Sequence, residues 1–237
     1  MTTELRPQVH PPSLPPLESG DRLTRPEFER RYAAAPHIRK AELIEGIVYV
    51  ASPLRHKQHG RPHSRVMTWL GVYQAMTPGM DVSVEPTVRL DLDNEPQPDA
   101  VLFIESALGG QTQISDDGYI EGPPELVVEV AASSVAIDRG SKKQAYRRNG
   151  ISEYIIWQSY ENQLEWFDLV DGEYKQILPD ADGIIRSPGF PGLWLAVDAL
   201  LNNKMQAVLE TLQQVLTSEA HQQFVAHLAQ RKSDASH

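Results

Sequence analysis

The sequence predicts a single mixed domain of the α/β (α+β) class, with a central β-sheet flanked by helices. Short runs rich in valine and isoleucine lie in the middle of the chain, and segments with helical spacing of apolar residues lie between and around them. The chain has 237 residues, of which 41% are hydrophobic and 23% are charged. That is enough material for one domain with a sizeable core.

The N-terminal half predicts a tail, two helices and several strands. Residues 1–20 are proline-rich and predict a disordered tail. Thr24 and Glu27 form a capping-box pattern at the start of a short helix. Further elements are predicted in chain order: a strand at 47–50, a helix within 60–79, a strand near 82–92, a strand opened by Pro98, and a loop with a small hairpin at 105–124.

The C-terminal half alternates strands and helices. The apolar run at 126–130 predicts a core strand, and a helix from about Asp138 should end at Gly150. A strand at 152–158 and a hairpin turning at Asp171 and Gly172 follow. Residues 202–237 predict one long amphipathic helix that packs on the core or forms a dimer contact, which leaves residues 21–201 as the main domain.

Composition and charge restrict the function. The chain has no cysteine, which excludes disulfides and thiolate zinc sites and suits the cytoplasm. No apolar run is long enough for a membrane span, and the first residues do not resemble a signal peptide. The net charge of −10 argues against non-specific coating of nucleic acid. Two stretches, 55–65 and 139–148, are nonetheless basic and free of acids, and they form either solvated faces or two walls of a groove for a polyanion.

Glu129 is an unusual residue for its position, because it interrupts the valine-rich strand in "PPELVVEVAASS". A buried carboxylate needs a salt bridge, hydrogen bonds or a metal. Asp99, in "PDAVLFI", lies on another candidate strand, and the loop between them is long enough for the two strands to be neighbours. Two converging carboxylates favour a bound cation, and a hard ion such as Mg²⁺ prefers oxygen ligands.

Lys142 is the third candidate residue, on the first turns of the helix that follows Glu129. It either forms an exposed pair with Asp138, four residues earlier, or places its ammonium group beside a metal-bound water. Asp, Glu and Lys around a divalent metal are typical of phosphodiester hydrolysis. Paired strand carboxylates that are only structural are the alternative.

An ordered set of motifs resembles a known family. "ELIEG", "PDAVLF", "PPELVVEVAASS", "DRGSKKQAYRRNGISEYIIW" and "PGLWL" are similar to the Uma family of restriction-endonuclease-like proteins, within the PD-(D/E)XK nuclease superfamily. The resemblance covers about residues 24–201 and implies a restriction-endonuclease-like core. It also implies Mg²⁺ or Mn²⁺ bound by the PD aspartate and a second carboxylate. The residues that match the family's site are Asp99, Glu129 and Lys142, with Glu45 and His63 as further candidates.

One departure from the superfamily motif leaves two functions open. The usual strand lysine, two residues after the second acid, is replaced by Ala131, so the role would pass to Lys142 or Lys143. The first hypothesis is a DNA endonuclease that acts as a homodimer to cut both strands. The alternative is a DNA-binding or protein-interaction module that kept the fold and lost catalysis. His59 and His63 on the basic helix are expected to face solvent, and Glu125 is expected to be a solvated strand end.

Overall fold

The computed structural model describes residues 14–235, and this part of the chain contains seven α-helices and thirteen strands. The helices are α1 (Arg25–Ala33), α2 (Arg61–Met76), α3 (Val135–Ile137), α4 (Lys143–Arg148), α5 (Val197–Leu201), α6 (Met205–Leu216) and α7 (Glu219–Ala235). The strands are β1 (Ala41–Ile44), β2 (Ile47–Val50), β3 (Met80–Val84), β4 (Val88–Arg89), β5 (Ala100–Ile104), β6 (Gln113–Ile114), β7 (Ile120–Glu121), β8 (Leu126–Ala131), β9 (Glu153–Gln158), β10 (Gln163–Val170), β11 (Glu173–Ile177), β12 (Ile184–Arg186) and β13 (Trp194–Ala196). Two π-helical turns, His56–Gly60 and Asp138–Lys142, directly precede α2 and α4.

Six strands form the central sheet, in the order β11-β10-β9-β8-β5-β3. Within this sheet β8 and β9 pair in parallel, and the other neighbours are antiparallel. The mixed sheet confirms the predicted fold class. Because parallel strands end at the same edge of a sheet, the residues after β8 and β9 meet there.

Both faces of the central sheet are covered. On one face, Trp69 and Leu70 of α2 and Leu212 of α6 pack in the larger apolar cluster. On the other face, Tyr146 of α4 packs in a second cluster. This arrangement buries β8 and β9 along their whole length, as expected for strands covered on both sides.

A long C-terminal helix is present as predicted, but the helical region is divided into α6 and α7 by a break at Thr217 and Ser218. The Thr217 hydroxyl donates to the Gln214 carbonyl, and the Ser218 carbonyl starts the next helix by accepting from Gln222. Such local bonds compete with helix continuation. The apolar face of α6 packs in the core of its own chain.

The structure confirms some of the remaining predictions and corrects others. Residues 1–13 of the predicted tail lie outside the described residues; at 14–20, Leu17 is buried in a cluster with Phe28 of α1. Helix α1 begins where the capping box predicts, but the side chain of Thr24 forms no cap. The predicted strand at 82–92 is divided into β3 and β4, which belong to different sheets, around Glu85 with φ of 47°. Asp171 and Gly172 form the predicted hairpin turn, both with positive φ.

None of the helices in the described part of the chain combines the length and the apolar character that crossing a bilayer requires.

Candidate active site

Asp99 and Glu129 lie side by side at one end of the central sheet. The antiparallel register pairs Ala100 of β5 with Val128 of β8, so the next position places Asp99 opposite Glu129. Directly opposed side chains in such a pair have Cβ atoms about 4.5–5.5 Å apart. Both residues are nearly inaccessible, at 3% and 4% exposure.

Asp99 is held by donors on both carboxylate oxygens. The Val130 backbone N–H donates to Oδ2 at 2.6 Å, and His59 Nε2 lies 2.8 Å from Oδ1. Burial alone would raise the pKa of Asp99, but the hydrogen bond with His59 and the positive charges of His59 and Lys40 hold it below the ordinary value. Asp99 is therefore kept as a carboxylate.

The expectation that His59 and His63 face solvent is wrong, since both are buried. Nε2 of His63 lies 2.7 Å from the Asp99 carbonyl oxygen, and the two imidazoles pack edge to face. The signal for this was available in the sequence. The two histidines are four residues apart, a spacing that puts both on one helical face.

Glu129 is bound by two donors from the helical segment that follows it. Lys142 Nζ lies 2.9 Å from Oε1, and the Tyr146 hydroxyl donates to the same oxygen at 2.7 Å. Among the described residues no hydrogen bond reaches Oε2, which leaves that oxygen open to another ligand. Lys143 turns the other way and stacks its ammonium 3.3 Å from the ring centroid of Phe167. The geometry thus brings Lys142, and not Lys143, to Glu129.

Glu42 of β1 is a site residue that the sequence analysis missed. Its Oε1 lies 2.8 Å from Lys142 Nζ and also accepts the Gln97 backbone N–H at 2.7 Å. Asp138 approaches the same ammonium group at 3.6 Å. A carboxylate within the apolar strand "AELI" is the same kind of signal that singled out Glu129.

The cluster formed by Glu42, Asp99, Glu129, Asp138, Lys40 and Lys142 has more carboxylates than ammonium groups. Burial, together with the negative charges of Asp138, Asp99 and Glu42, raises the pKa of Glu129 to about 8 despite the opposing effect of Lys142. Burial would lower the pKa of Lys142, but the surrounding carboxylates raise it well above its usual value. Lys142 therefore stays protonated, and the carboxylates of the cluster still outnumber its ammonium groups.

Three other positions considered in the sequence do not line the cleft: Glu45, Glu125 and Ala131. Glu45 occupies the turn between β1 and β2, with φ of 55°, and pairs with Arg148 outside the cleft. Glu125 is buried and accepts backbone N–H bonds from Ile104 and Gln111, so its expected solvation is wrong. Ala131 is completely buried in the cluster around Tyr146. The ammonium group beside Glu129 comes from Lys142, in the helical segment that follows β8.

The floor of a cleft of about 510 Å³ is formed by Lys40, Glu42, Asp99, Glu129 and Lys142. The residues after β8 and the turn after β9 form one side, and the segment between β2 and α2 forms the other. The cleft is thus at the carboxyl ends of the parallel strand pair, a frequent location for ligand sites in α/β sheets. Its charged lining residues are Lys40, Glu42, Arg55, Asp99, Glu129 and Lys142.

Two donor sets near the floor suit metal ligation. Asp99 and Glu129 offer carboxylate oxygens, which suit Mg²⁺ and Mn²⁺. His59, His63 and Asp99 also form a group whose ligand atoms all lie within 4.8 Å of one another. His63 already contacts the Asp99 carbonyl, whereas Nδ1 of His59 is buried without a hydrogen-bond partner in the described chain.

Comparisons with known proteins agree with the fold and identify the family. The family model Uma2, described as "Putative restriction endonuclease", matches residues 25–198. The crystal structure of a "putative nuclease belonging to DUF820" from Anabaena variabilis is similar to this chain, with a TM-score of 0.56 and 16% identity. The similarity covers 73% of this chain and 96% of that one. No curated protein matches the sequence. The family match spans most of the chain, which therefore belongs to the Uma2 family of restriction-endonuclease-like proteins.

Proposed function

We propose that the protein is a metal-dependent DNA endonuclease that hydrolyses phosphodiester bonds, with Asp99 and Glu129 holding Mg²⁺ or Mn²⁺. The main support is the placement of these two carboxylates opposite each other at the floor of the cleft, with the ammonium group of Lys142 beside Glu129. The family match supports the reaction class.

A divalent metal fits the residues that are present. Glu129 has one oxygen without a hydrogen bond in the described chain, and Asp99 is kept ionised by its neighbours. Burial and the neighbouring carboxylates raise the pKa of Glu129, and a bound cation would oppose both effects. A metal bound there would lower the pKa of a water molecule and neutralise charge on the phosphate oxygens.

The side chains around the carboxylates have distinct tasks. His59 and the Val130 N–H fix the orientation of Asp99, and Tyr146 fixes that of Glu129. Lys142 stays protonated, so it acts as a charge and a hydrogen-bond donor. In that form it orients the attacking water and stabilises the additional negative charge on the phosphate in the transition state.

Cleavage of supercoiled plasmid DNA tests this proposal. The wild-type protein should nick or linearise the plasmid with Mg²⁺ or Mn²⁺ and be inactive in EDTA. Asp99→Asn and Glu129→Gln should remove the activity. Glu45→Gln is the matched control, because this glutamate lies outside the cleft. Cleavage that persists in both cleft variants would overturn the proposed site.

Metal binding provides a second readout for the same proposal. Calorimetry with Mn²⁺ should show one site that Glu129→Gln weakens. Absence of both binding and cleavage in the wild-type protein would instead support the alternative, a binding module that kept the nuclease fold and has Ala131 at the strand-lysine position.

A further inference from the structure

The walls of the cleft restrict what can reach its floor. One wall is the segment 51–55 between β2 and the π-helical turn before α2, and the other includes Tyr160 in the turn after β9. Arg55 Nη1 and the Tyr160 hydroxyl, on opposite walls, lie 3.4 Å apart. Asp99 and Glu129 are only 3% and 4% exposed below them. The two walls therefore contact each other at this point, above carboxylates that are nearly inaccessible.

The positive charges available to a polyanion are few. Among the described residues that line the cleft, the Lys and Arg side chains are Lys40, Arg55 and Lys142. Proteins that bind duplex DNA tightly often neutralise about 6–10 phosphates. Lys142 is already held by three carboxylates on the floor, so Lys40 and Arg55 are the main cations left for phosphates. In a protein with a net charge of −10, this small number suits a shorter stretch of backbone.

The second basic stretch, 139–148, does not extend this surface. Its arginines are paired with carboxylates: Arg139 with Glu165, Arg147 with Glu173 and Arg148 with Glu45. Of the two basic stretches, 55–65 therefore lies beside the cleft, whereas 139–148 contributes only Lys142 to it.

The cleft is lined in part by an exposed aromatic side chain and an exposed apolar one. Tyr160 is 53% exposed and Leu54 is 57% exposed, and both line the cleft. Aromatic side chains beside cations are the usual platform for unpaired bases, which stack on them with little dependence on sequence. In a duplex, the bases are already stacked and paired and cannot use this platform.

We infer that the cleft takes an unpaired DNA strand, with a base stacked on Tyr160 and neighbouring phosphates near Arg55 and Lys40. The substrate would then be single-stranded DNA or the unpaired end of a duplex. This inference rests on the proposed function for the cleavage chemistry, but the binding preference can be measured without cleavage.

Fluorescence anisotropy with a labelled 20-nucleotide strand and its duplex tests the inference, with Ca²⁺ in place of Mg²⁺. We expect the single strand to bind at least tenfold more tightly, with a slope of log K against log salt of about −2, for about three phosphates. Tyr160→Ala should weaken single-strand binding about tenfold, and Tyr160→Phe should retain it. Tyr119→Ala is the control, since Tyr119 is 40% exposed and stacks on Arg89 outside the cleft.

The results separate this inference from the proposed function. Equal or tighter binding of the duplex, no binding of either probe, or no effect of Tyr160→Ala would overturn the inference. A parallel assay in Mg²⁺ measures cleavage of the same probes. Cleavage of the duplex alone would support the nuclease proposal and reject the single-strand preference. Tight single-strand binding with no cleavage would support the single-strand preference and reject the nuclease proposal.

Discussion

Two glutamates are buried on the neighbouring strands β8 and β9, and their surroundings differ. Glu129 lies under the cleft beside an ammonium group and three further carboxylates. Glu153 is fully buried and receives hydrogen bonds from the Ser187 hydroxyl at 2.5 Å, the Gly189 N–H at 2.9 Å and the Trp166 indole N–H at 2.7 Å. All three donors of Glu153 are neutral.

The surroundings separate a structural carboxyl from a candidate functional one. Burial raises the pKa of Glu153 to about 7, although its three hydrogen bonds act in the opposite direction. A Cβ at position 189 would lie 2.8 Å from Glu153 Oε1, so a larger residue there would push this carboxyl group away from its hydrogen bonds. The site around Glu153 is closed and satisfied, while Glu129 borders a cleft and has a free oxygen. A raised pKa alone would not distinguish the two.

The largest expected difference is between Glu129→Gln and Glu153→Gln. Glu129→Gln should reduce cleavage on the order of a thousandfold, because metal stabilisation is worth several kcal/mol, and should keep or raise the melting temperature by removing a repelled charge. Glu153→Gln should keep the activity of folded protein but lose about 1–3 kcal/mol of stability, because its NH₂ group would oppose a buried donor. Plasmid cleavage and urea denaturation measure both effects, and the opposite pattern would reject the distinction.

Variants of the two neighbouring lysines, Lys142 and Lys143, allow a similar comparison of activity and stability. Lys142→Met leaves three carboxylates without their cation and should cost about 3–5 kcal/mol of stability along with the activity. Lys142→Arg keeps the charge and should recover most of the stability but little activity, since a guanidinium group has a different shape. Lys143→Met should lose only the contact with Phe167, about 0.5–1 kcal/mol. Equal losses of activity in the Lys142 and Lys143 variants would contradict the assignment.

The expected difference in activity between the Glu42 and Glu45 variants is smaller than that between the lysine variants. Glu42→Gln should lower cleavage about 10–100-fold, the usual effect of removing a residue that orients a metal-site side chain. Glu45→Gln breaks an exposed ion pair and should change stability by less than about 1 kcal/mol. Initial cleavage rates at saturating metal measure the contrast. A larger loss of activity for Glu45→Gln would return that residue to the site.

The last expected difference is a pH dependence of stability to which Glu153 contributes. Its folded-state pKa of about 7 lies above the ordinary 4.5, so the folded state holds more protons between these pH values. The contribution of Glu153 to stability therefore falls as pH rises from about 4.5 to 7 and is constant above that range. Denaturation of the wild type and of Glu153→Gln at pH 5 and pH 7.5 checks this: the difference in unfolding free energy should favour the wild type more at pH 5.

Much of the fold could be predicted because local signals and burial agree. The hairpin at Asp171 and Gly172 and the valine-rich strand β8 each have one strong pattern. Asp99, Glu129 and Lys142, brought together in the structure, were found because charges in apolar strands are costly and because the motifs resemble a family. The break at Thr217 was missed, because two hydroxyl residues interrupt a pattern whose apolar spacing continues.

Contacts between distant segments explain the errors in the site. "ELIEG" contains two glutamates three residues apart, and only the pairing of β1 with β2 shows that Glu45 is in the turn and Glu42 is in the strand. His59 seemed solvated because its neighbours are basic, and its burial depends on Asp99, 40 residues later. The position of Glu129 relative to Asp138 and Glu42 likewise needs three-dimensional packing.

His59 and Lys142, the partners of the two floor carboxylates, share a backbone feature, because each lies in a π-helical turn that directly precedes an α-helix. A π-helical turn contains one residue more than an α-helical turn, and one residue corresponds to about 100° of rotation. Deleting Gly140 or Ser141 would therefore rotate Lys142 away from Glu129 while leaving every charged side chain in the sequence. These two five-residue segments should tolerate substitution at exposed positions but no change of length. In a related sequence, a one-residue gap at either segment would mark the loss of this site even where all of its carboxylates remain.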